Sequence, residues 1–123
     1  MEMRLELVIL PVTDVDRAKA FYVDQVGFHA DHDTTVNPEL RFVQLTPPGS
    51  ACSVAFGLGL TDAPPGSVKG LQVVVDDVRA WRERLVANGV DAPAVEDLAW
   101  GSFTFFSDPD GNAWAVQQLP KRD

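Results

Sequence analysis

The sequence has one cysteine, few basic side chains and no long apolar run, and each shortage excludes a class of protein. Cys52 is the only cysteine, so an intrachain disulfide cannot form and nothing supports an oxidising compartment. The 10 basic side chains against 18 acidic ones give a net charge of −8, which disfavours binding to nucleic acid or to an anionic membrane. No apolar run is long enough to span a membrane, and the N-terminus lacks the pattern of a signal peptide. We therefore expect a cytoplasmic protein that binds neither nucleic acid nor membranes.

What the sequence does contain is the composition of an ordinary globular domain. Hydrophobic residues make up 46% and charged residues 23% of the 123 positions, which argues against a wholly disordered chain. A chain of this length buries roughly 65–70% of its unfolded surface, enough for a real core. We expect a single domain.

The order of predicted elements occurs twice along the chain. Residues 5–12 and residues 71–75 are apolar, β-prone runs, and an aspartate that can cap a helix follows each, Asp14 and Asp77 respectively. Apolar residues then recur at helical spacing, which predicts one helix after each cap. These residues are Val15, Ala18, Tyr22 and Val26 in the first helix, and Val78, Trp81 and Leu85 in the second.

Two Pro/Gly turns complete the repeat, and each joins two strand-like runs. They lie at residues 46–50 and 107–112. The capping aspartates are 63 positions apart, and the turn glycines, Gly49 and Gly111, are 62 positions apart. This offset predicts an α+β fold of two tandem βαβββ modules.

Neither module is expected to be stable alone. Module one spans about residues 1–61, a Pro/Gly-rich linker covers about residues 62–68, and module two spans about residues 69–119. Each module offers one amphipathic helix on a small sheet, so half of its apolar surface would stay exposed to water. We therefore expect curved mixed sheets around a concave cavity, with the helices on the outer face, and a ligand in the cavity.

The opening and closing segments resemble a known superfamily. Residues 7–22 read Leu-Val-Ile-Leu-Pro-Val-Thr-Asp-Val-Asp-Arg-Ala-Lys-Ala-Phe-Tyr, and residues 106–114 read Phe-Ser-Asp-Pro-Asp-Gly-Asn-Ala-Trp. They are similar to the first module and the last hairpin of the vicinal oxygen chelate superfamily, which contains glyoxalases, bleomycin-resistance proteins and extradiol dioxygenases. The resemblance covers about residues 5–119 and implies the same fold.

The resemblance also implies a divalent metal held by His, Glu or Gln at four strand positions. The matching positions here are Leu7, its counterpart Gly70 at the 63-residue offset, Ser53 and Ala115. Three of these side chains carry no donor atom, and a neutral serine hydroxyl alone binds a divalent ion poorly. We therefore expect no metal and no other cofactor, and without the metal none of the Lewis-acid or dioxygen chemistry that the resemblance implies.

Glutamines and histidines are the other candidate donors. Strand alternation puts Gln72 and Gln117 on the face of the mapped positions, where two amides suit a ligand carbonyl or amide better than a metal. His29 and His32 are expected on opposite faces of a solvated edge strand. Cys52 is expected in the core.

Alternation predicts a cavity wall that is small, apolar and uncharged, which suits a flat, largely apolar organic ligand. Trp100 and Phe103 would form an aromatic lid, or else fill the core or a dimer interface. The predicted ligand-binding residues are Leu7, Ile9, Ser53, Gln72, Val74, Trp100, Phe103, Ala115 and Gln117.

We expect a homodimer that binds a small molecule without a metal, in the manner of bleomycin-resistance proteins. Residues 91–100 include a proline, so the outer strand of module two is predicted to be short and irregular, an edge that a partner chain would cover. Two alternatives stay open. One is a metal-dependent lyase or dioxygenase with unusual ligands, and the other is a metal-independent enzyme or a partner-binding module.

Overall fold

The computed structural model describes residues 1–121, which form two four-stranded mixed sheets. The strands of the first sheet are β1 (Leu7–Ile9), β2 (His29–Asn37), β3 (Leu40–Thr46) and β4 (Ser53–Leu58), in the spatial order β1-β4-β3-β2. Those of the second are β5 (Leu71–Val74), β6 (Glu96–Leu98), β7 (Gly101–Ser107) and β8 (Ala113–Gln118), in the order β5-β8-β7-β6. In each sheet the first strand runs parallel to the last, and the other pairs are antiparallel. The predicted α+β fold of two βαβββ units is confirmed.

Each sheet carries one helix, and each helix is capped by the aspartate predicted for that role. Helix α1 (Val15–Ala20) is capped by Asp14 and helix α2 (Val78–Ala87) by Asp77, whose carboxylates accept first-turn N–H groups at 3.0 and 3.1 Å. The chain after α1 continues as a π-helical segment, Phe21–Val26, which the sequence did not predict. Among residues 1–121, no helix is long and apolar enough to cross a membrane.

The two sheets share one hydrophobic core between their helix-bearing faces. Tyr22 is fully buried there, and its ring centroid lies 5.3 Å from that of Phe28 and 5.9 Å from that of Trp114. The other large core side chains come from both halves: Leu10, Phe21, Val43, Leu45, Phe56, Leu85, Phe106 and Val116. Each half supplies part of this single core, and the expectation that neither half is stable alone stays a prediction.

A buried hydrogen-bond network crosses from one half to the other. The Tyr22 hydroxyl donates to Asp108 Oδ2 at 2.8 Å and accepts from Trp114 Nε1 at 3.0 Å. The Asn112 amide donates to Asp108 Oδ2 at 2.7 Å and to the Pro11 carbonyl at 3.0 Å. Burial, followed by the charge of Asp108, raises the pKa of Tyr22 far above its usual range, so the phenol stays a proton donor.

Gln25 and Asn88 show the repeat as a local twofold relationship. The Gln25 side chain donates to the Asn88 carbonyl at 3.1 Å, and the Asn88 side chain donates to the Gln25 carbonyl at 3.1 Å. The two residues are 63 positions apart, the same offset as the helix caps. The halves therefore meet at equivalent points of the repeat.

The outer strand of the second sheet is short, as predicted. β6 has three residues, whereas its counterpart β2 has nine. Residues 91–95 are irregular, and a surface concavity of about 550 Å³ lies between them and the end of β7. The assignment of residues 62–68 as a linker stays a prediction.

Candidate functional site

The faces of the sheets that point away from the helices carry the predicted ligand-binding residues of the strands. Leu7 pairs with Ser53 across β1 and β4, and Gln72 pairs with Ala115 across β5 and β8, so each pair shares a face. We call these surfaces the two open faces. The first comprises Leu7, Ile9, His29, Asp31, His32, Phe42, Gln44, Thr46, Ser53 and Ala55, and the second comprises Gln72, Val74, Phe103, Phe105, Ala113, Ala115 and Gln117. Their role in ligand binding stays a prediction.

Large apolar side chains on the open faces are exposed to solvent. The exposed fraction is 60% for Val74, 41% for Phe105 and 39% for Ile9. Phe103 is buried beneath its neighbours, with its ring stacked on Phe105 at a centroid distance of 6.1 Å, whereas Trp100 in the turn between β6 and β7 is 63% exposed. Because the core lies on the helix side of both sheets, one chain leaves both open faces uncovered.

The strand register corrects one of the four mapped positions. Ser53 pairs with Leu7, and Ala115 pairs with Gln72, so the counterpart of Leu7 is Gln72 and not Gly70. The connection from the strand to the capping aspartate is two residues shorter in the second half, so the 63-residue offset of the caps does not hold for the strands.

The side chains at the corrected positions do not fit a divalent metal. Gln72 offers one amide oxygen and Ser53 one hydroxyl, while Leu7 and Ala115 offer no donor atom. Within residues 1–121, no group of three or more His, Cys, Asp or Glu side chains is arranged to hold a metal ion. The polar groups at these positions, an amide and a hydroxyl, suit hydrogen bonds to a ligand.

A chain of amides crosses the second open face. Gln72 Nε2 donates to Gln117 Oε1 at 2.6 Å, and Gln117 Nε2 donates to the Trp100 carbonyl at 2.9 Å. A carbonyl can only accept, so this contact fixes the orientation of Gln117 and makes its Oε1 the acceptor for Gln72. The amide oxygen of Gln72 is then the end that is available to a ligand.

The first open face carries a line of polar side chains that the sequence did not reveal. The Ser53 hydroxyl lies 2.6 Å from Thr46 Oγ1, and Thr46 Oγ1 donates in turn to the Asp31 carboxylate. His29 Nε2 lies 3.7 Å from Asp31 Oδ1 at the outer end of the line. Ser53 is only 5% exposed, so the inner end of the line is largely shielded from water. We call Asp31, Thr46 and Ser53 the polar line.

A β-bulge in β2 puts this carboxylate and both histidines on the first open face. His29 pairs with Thr46, whereas His32 pairs with Gln44, because the register shifts by one residue just before His32. Thr46 and Gln44 are two positions apart on β3 and share a face, so the two histidines share it too. The expectation that they face opposite sides is wrong. The bulge can be located only from the pairing of β2 with β3, and the sequence does not show that pairing.

Residues of both sheets line one groove within a single chain. Its volume is about 330 Å³, and its wall includes Leu5, Cys52, Ser53, Gly70 and Gln72. Cys52, expected in the core, is half-buried at this groove because it precedes β4 instead of lying within it. Two of the predicted ligand-binding residues, Ser53 and Gln72, thus line one groove.

Comparison with known proteins identifies the family. The sequence model of the Glyoxalase/Bleomycin resistance protein/Dioxygenase superfamily matches residues 4–116. The chain belongs to this superfamily. The resemblance drawn from the opening segment and the last hairpin is confirmed.

Several solved structures are similar to the whole chain. TnmS3, an antibiotic binding protein from Streptomyces sp. CB03234, is 35% identical with a TM-score of 0.88, over 97% of this chain and 98% of its own. A glyoxalase/bleomycin resistance protein from the same strain is 36% identical with a TM-score of 0.83, over 94% of this chain and 100% of its own. A superfamily member from Sphaerobacter thermophilus DSM 20745 is 30% identical with a TM-score of 0.84, over 95% and 98% of the two chains.

Proposed function

We propose that this superfamily member binds a small, largely apolar organic molecule on the open faces of its sheets, without a metal. The observation that carries the proposal is the composition of these faces, which combine exposed apolar side chains with a few fixed polar groups and lack a metal-binding donor set. Ligand sites in proteins have this composition. The similarity to TnmS3, itself an antibiotic binding protein, favours a ligand of the same general kind.

The stacked phenylalanines give the second open face a platform for a flat ring. The rings of Phe103 and Phe105 are nearly parallel, at an interplanar angle of 8°, and Phe105 is the exposed member of the pair. An aromatic ligand can stack on Phe105 while the amide oxygen of Gln72 accepts a hydrogen bond from it. Burying one apolar side chain of an open face against a ligand contributes about 1.5–3 kcal/mol to the binding free energy. Several such side chains together are sufficient for micromolar binding.

A homodimer completes the proposed site. One chain leaves Ile9, Val74 and Phe105 exposed on its open faces, and a sheet of a second copy would cover them. The ligand would then lie between an open face of one subunit and an open face of its partner. We propose this arrangement because it gives the ligand walls on two sides, whereas the single chain supplies only one.

The test is to fill an open face and measure binding of a neutral aromatic probe. Ala115→Trp places an indole on the second open face, next to Gln72 and Phe105. The matched control is Ala87→Trp, at an exposed position near the end of α2. Fluorescence titration of EDTA-dialysed protein with 1-N-phenylnaphthylamine is expected to show binding that Ala115→Trp weakens by about tenfold or more and that Ala87→Trp leaves unchanged. Equal binding by both variants would place the probe elsewhere and contradict the proposal.

A further inference from the structure

We infer that the polar line Asp31–Thr46–Ser53 binds a protonated amine of the ligand. This inference rests on the proposed function, since it assigns a chemical class to the molecule that occupies the open faces. It concerns three side chains that the sequence pattern did not place together.

The direction of the hydrogen bonds makes Ser53 an acceptor toward the ligand. An ionised carboxylate can only accept, so the single hydroxyl proton of Thr46 goes to Asp31. Thr46 Oγ1 must then accept the proton of Ser53 across their 2.6 Å contact. The lone pairs that Ser53 retains are therefore free for a donor on the ligand, and the charge of Asp31 strengthens the whole line.

The charges around the polar line favour a cation. Arg41 and Lys19, the basic side chains closest to it along β3 and α1, are both engaged by Asp33 at 2.9 Å on the helix side of the first sheet. The first open face as defined above contains no lysine or arginine among the described residues, and its basic side chains are the exposed His29 and His32. The Asp31 side chain is 25% exposed, so a cation that reaches its Oδ1 meets a partly desolvated carboxylate.

An ammonium suits the chemistry of the polar line. It carries three N–H donors, and the line presents a hydroxyl oxygen and a nearby carboxylate as acceptors. A ligand carboxylate or phosphate would instead face acceptors and a negative charge.

Three naphthalene probes with the same ring test this assignment. They are 2-(aminomethyl)naphthalene, 2-naphthalenemethanol and 2-naphthoate, which are cationic, neutral and anionic at neutral pH. We expect EDTA-dialysed protein to bind the amine about tenfold more tightly than the alcohol, and the naphthoate most weakly, in isothermal titration calorimetry. Asp31→Asn should abolish the preference for the amine over the alcohol, and Ser53→Ala should reduce it. Asp24→Asn is the control, because it removes the same charge from an exposed position of the π-helical segment.

The outcomes separate this inference from the proposed function. Binding of all three probes with equal affinity, or a preference that survives Asp31→Asn, would overturn the amine assignment and leave apolar ligand binding intact. Failure of every probe to bind would overturn both. Circular dichroism spectra of the variants, compared with the parent, establish that lost selectivity is not lost folding.

Discussion

Tyr22 and Asp108 join the two halves of the chain through one buried hydrogen bond, from the phenol hydroxyl to the carboxylate Oδ2 at 2.8 Å. The other carboxylate oxygen, Oδ1, accepts the backbone N–H groups of Asp110, Gly111 and Asn112 at 2.9–3.0 Å within the β7–β8 turn. One aspartate therefore shapes the turn and ties it to the helical segment of the opposite half. The closing motif that resembles the superfamily has a structural role here.

The first prediction is that Tyr22→Phe destabilises the fold. The change removes the donor to Asp108 and leaves the indole N–H of Trp114 without its acceptor in a dry core, which costs about 1–3 kcal/mol of unfolding free energy. The control is Thr13→Val, which removes a hydrogen bond of 2.7 Å to Asp110 that also joins the two halves but lies at the surface. Urea denaturation should show the larger loss for Tyr22→Phe, and a loss equal to or below that of Thr13→Val would contradict the role of the buried network.

The second prediction concerns acid stability. Hydrogen bonds from Arg41, then from Lys19, hold the pKa of Asp33 well below its usual range. Since this folded-state pKa is depressed, the stabilisation is fully present above the unfolded pKa of about 4 and is lost as the pH falls from there through the folded value. Asp33→Asn should therefore cost about 1 kcal/mol or less at pH 6, and this difference should shrink steadily below about pH 4.

Urea denaturation of both proteins at a series of pH values checks the acid-stability prediction. The two stability curves should converge on acidification. Curves that stay parallel down to the lowest pH at which the parent folds would show that Asp33 does not contribute through its charge.

The third prediction concerns Gly101, whose lack of a side chain leaves room for the side chain of Gln117. Gly101 has a φ of +143°, and a Cβ there would lie 2.6 Å from the Gln118 carbonyl oxygen and 3.0 Å from Gln117 Nε2. Gly70 has a φ of +88° but open space around its Cβ position, so Gly70→Ala carries the backbone strain alone. Gly101→Ala should destabilise the protein by at least about 1 kcal/mol more than Gly70→Ala and also weaken probe binding, because the amide pair with Gln72 is displaced. Equal effects of the two substitutions in urea denaturation would refute the steric argument.

The fourth prediction tests the homodimer. Val74 is 60% exposed on the second open face, and Val86 is 47% exposed on α2. A charge at position 74 would be buried without a partner in the proposed dimer. Val74→Asp should therefore weaken association by about tenfold or more, whereas Val86→Asp should leave it unchanged. Sedimentation equilibrium measures this directly. A parent protein that stays monomeric at high concentration, or a dimer indifferent to Val74→Asp, would exclude the open faces as its interface.

Local signals in the sequence predicted the elements of this fold well. Asp14 and Asp77 cap their helices, and the turn at residues 107–112 folds as its Asp, Pro and Gly composition indicates, because each depends on hydrogen bonds between near neighbours. Strand alternation also assigned Gln117 correctly to the face of Ala115, opposite the core residue Val116.

The site was harder to predict because it depends on strand pairing. Asp31 and Ser53 are far apart in the sequence, and only the bulge in β2 and the register of β3 bring them to the same line. The wrong choice of Gly70 as the counterpart of Leu7 has the same origin. The connection from strand to helix is two residues shorter in the second half, so the 63-residue offset that relates the helix caps does not relate Leu7 to its counterpart, Gln72. Spacing along the chain does not encode either relationship.

The most direct test of ligand binding without a metal is a titration of EDTA-dialysed, ¹⁵N-labelled protein with 1-N-phenylnaphthylamine, followed by NMR. We expect saturable shifts of the side-chain amide signals of Gln72 and Gln117 and of backbone signals in β4, β5 and β8, with little change along α1 and α2. Shifts confined to the helices, or binding that appears only after manganese, iron, nickel or zinc is added, would contradict it.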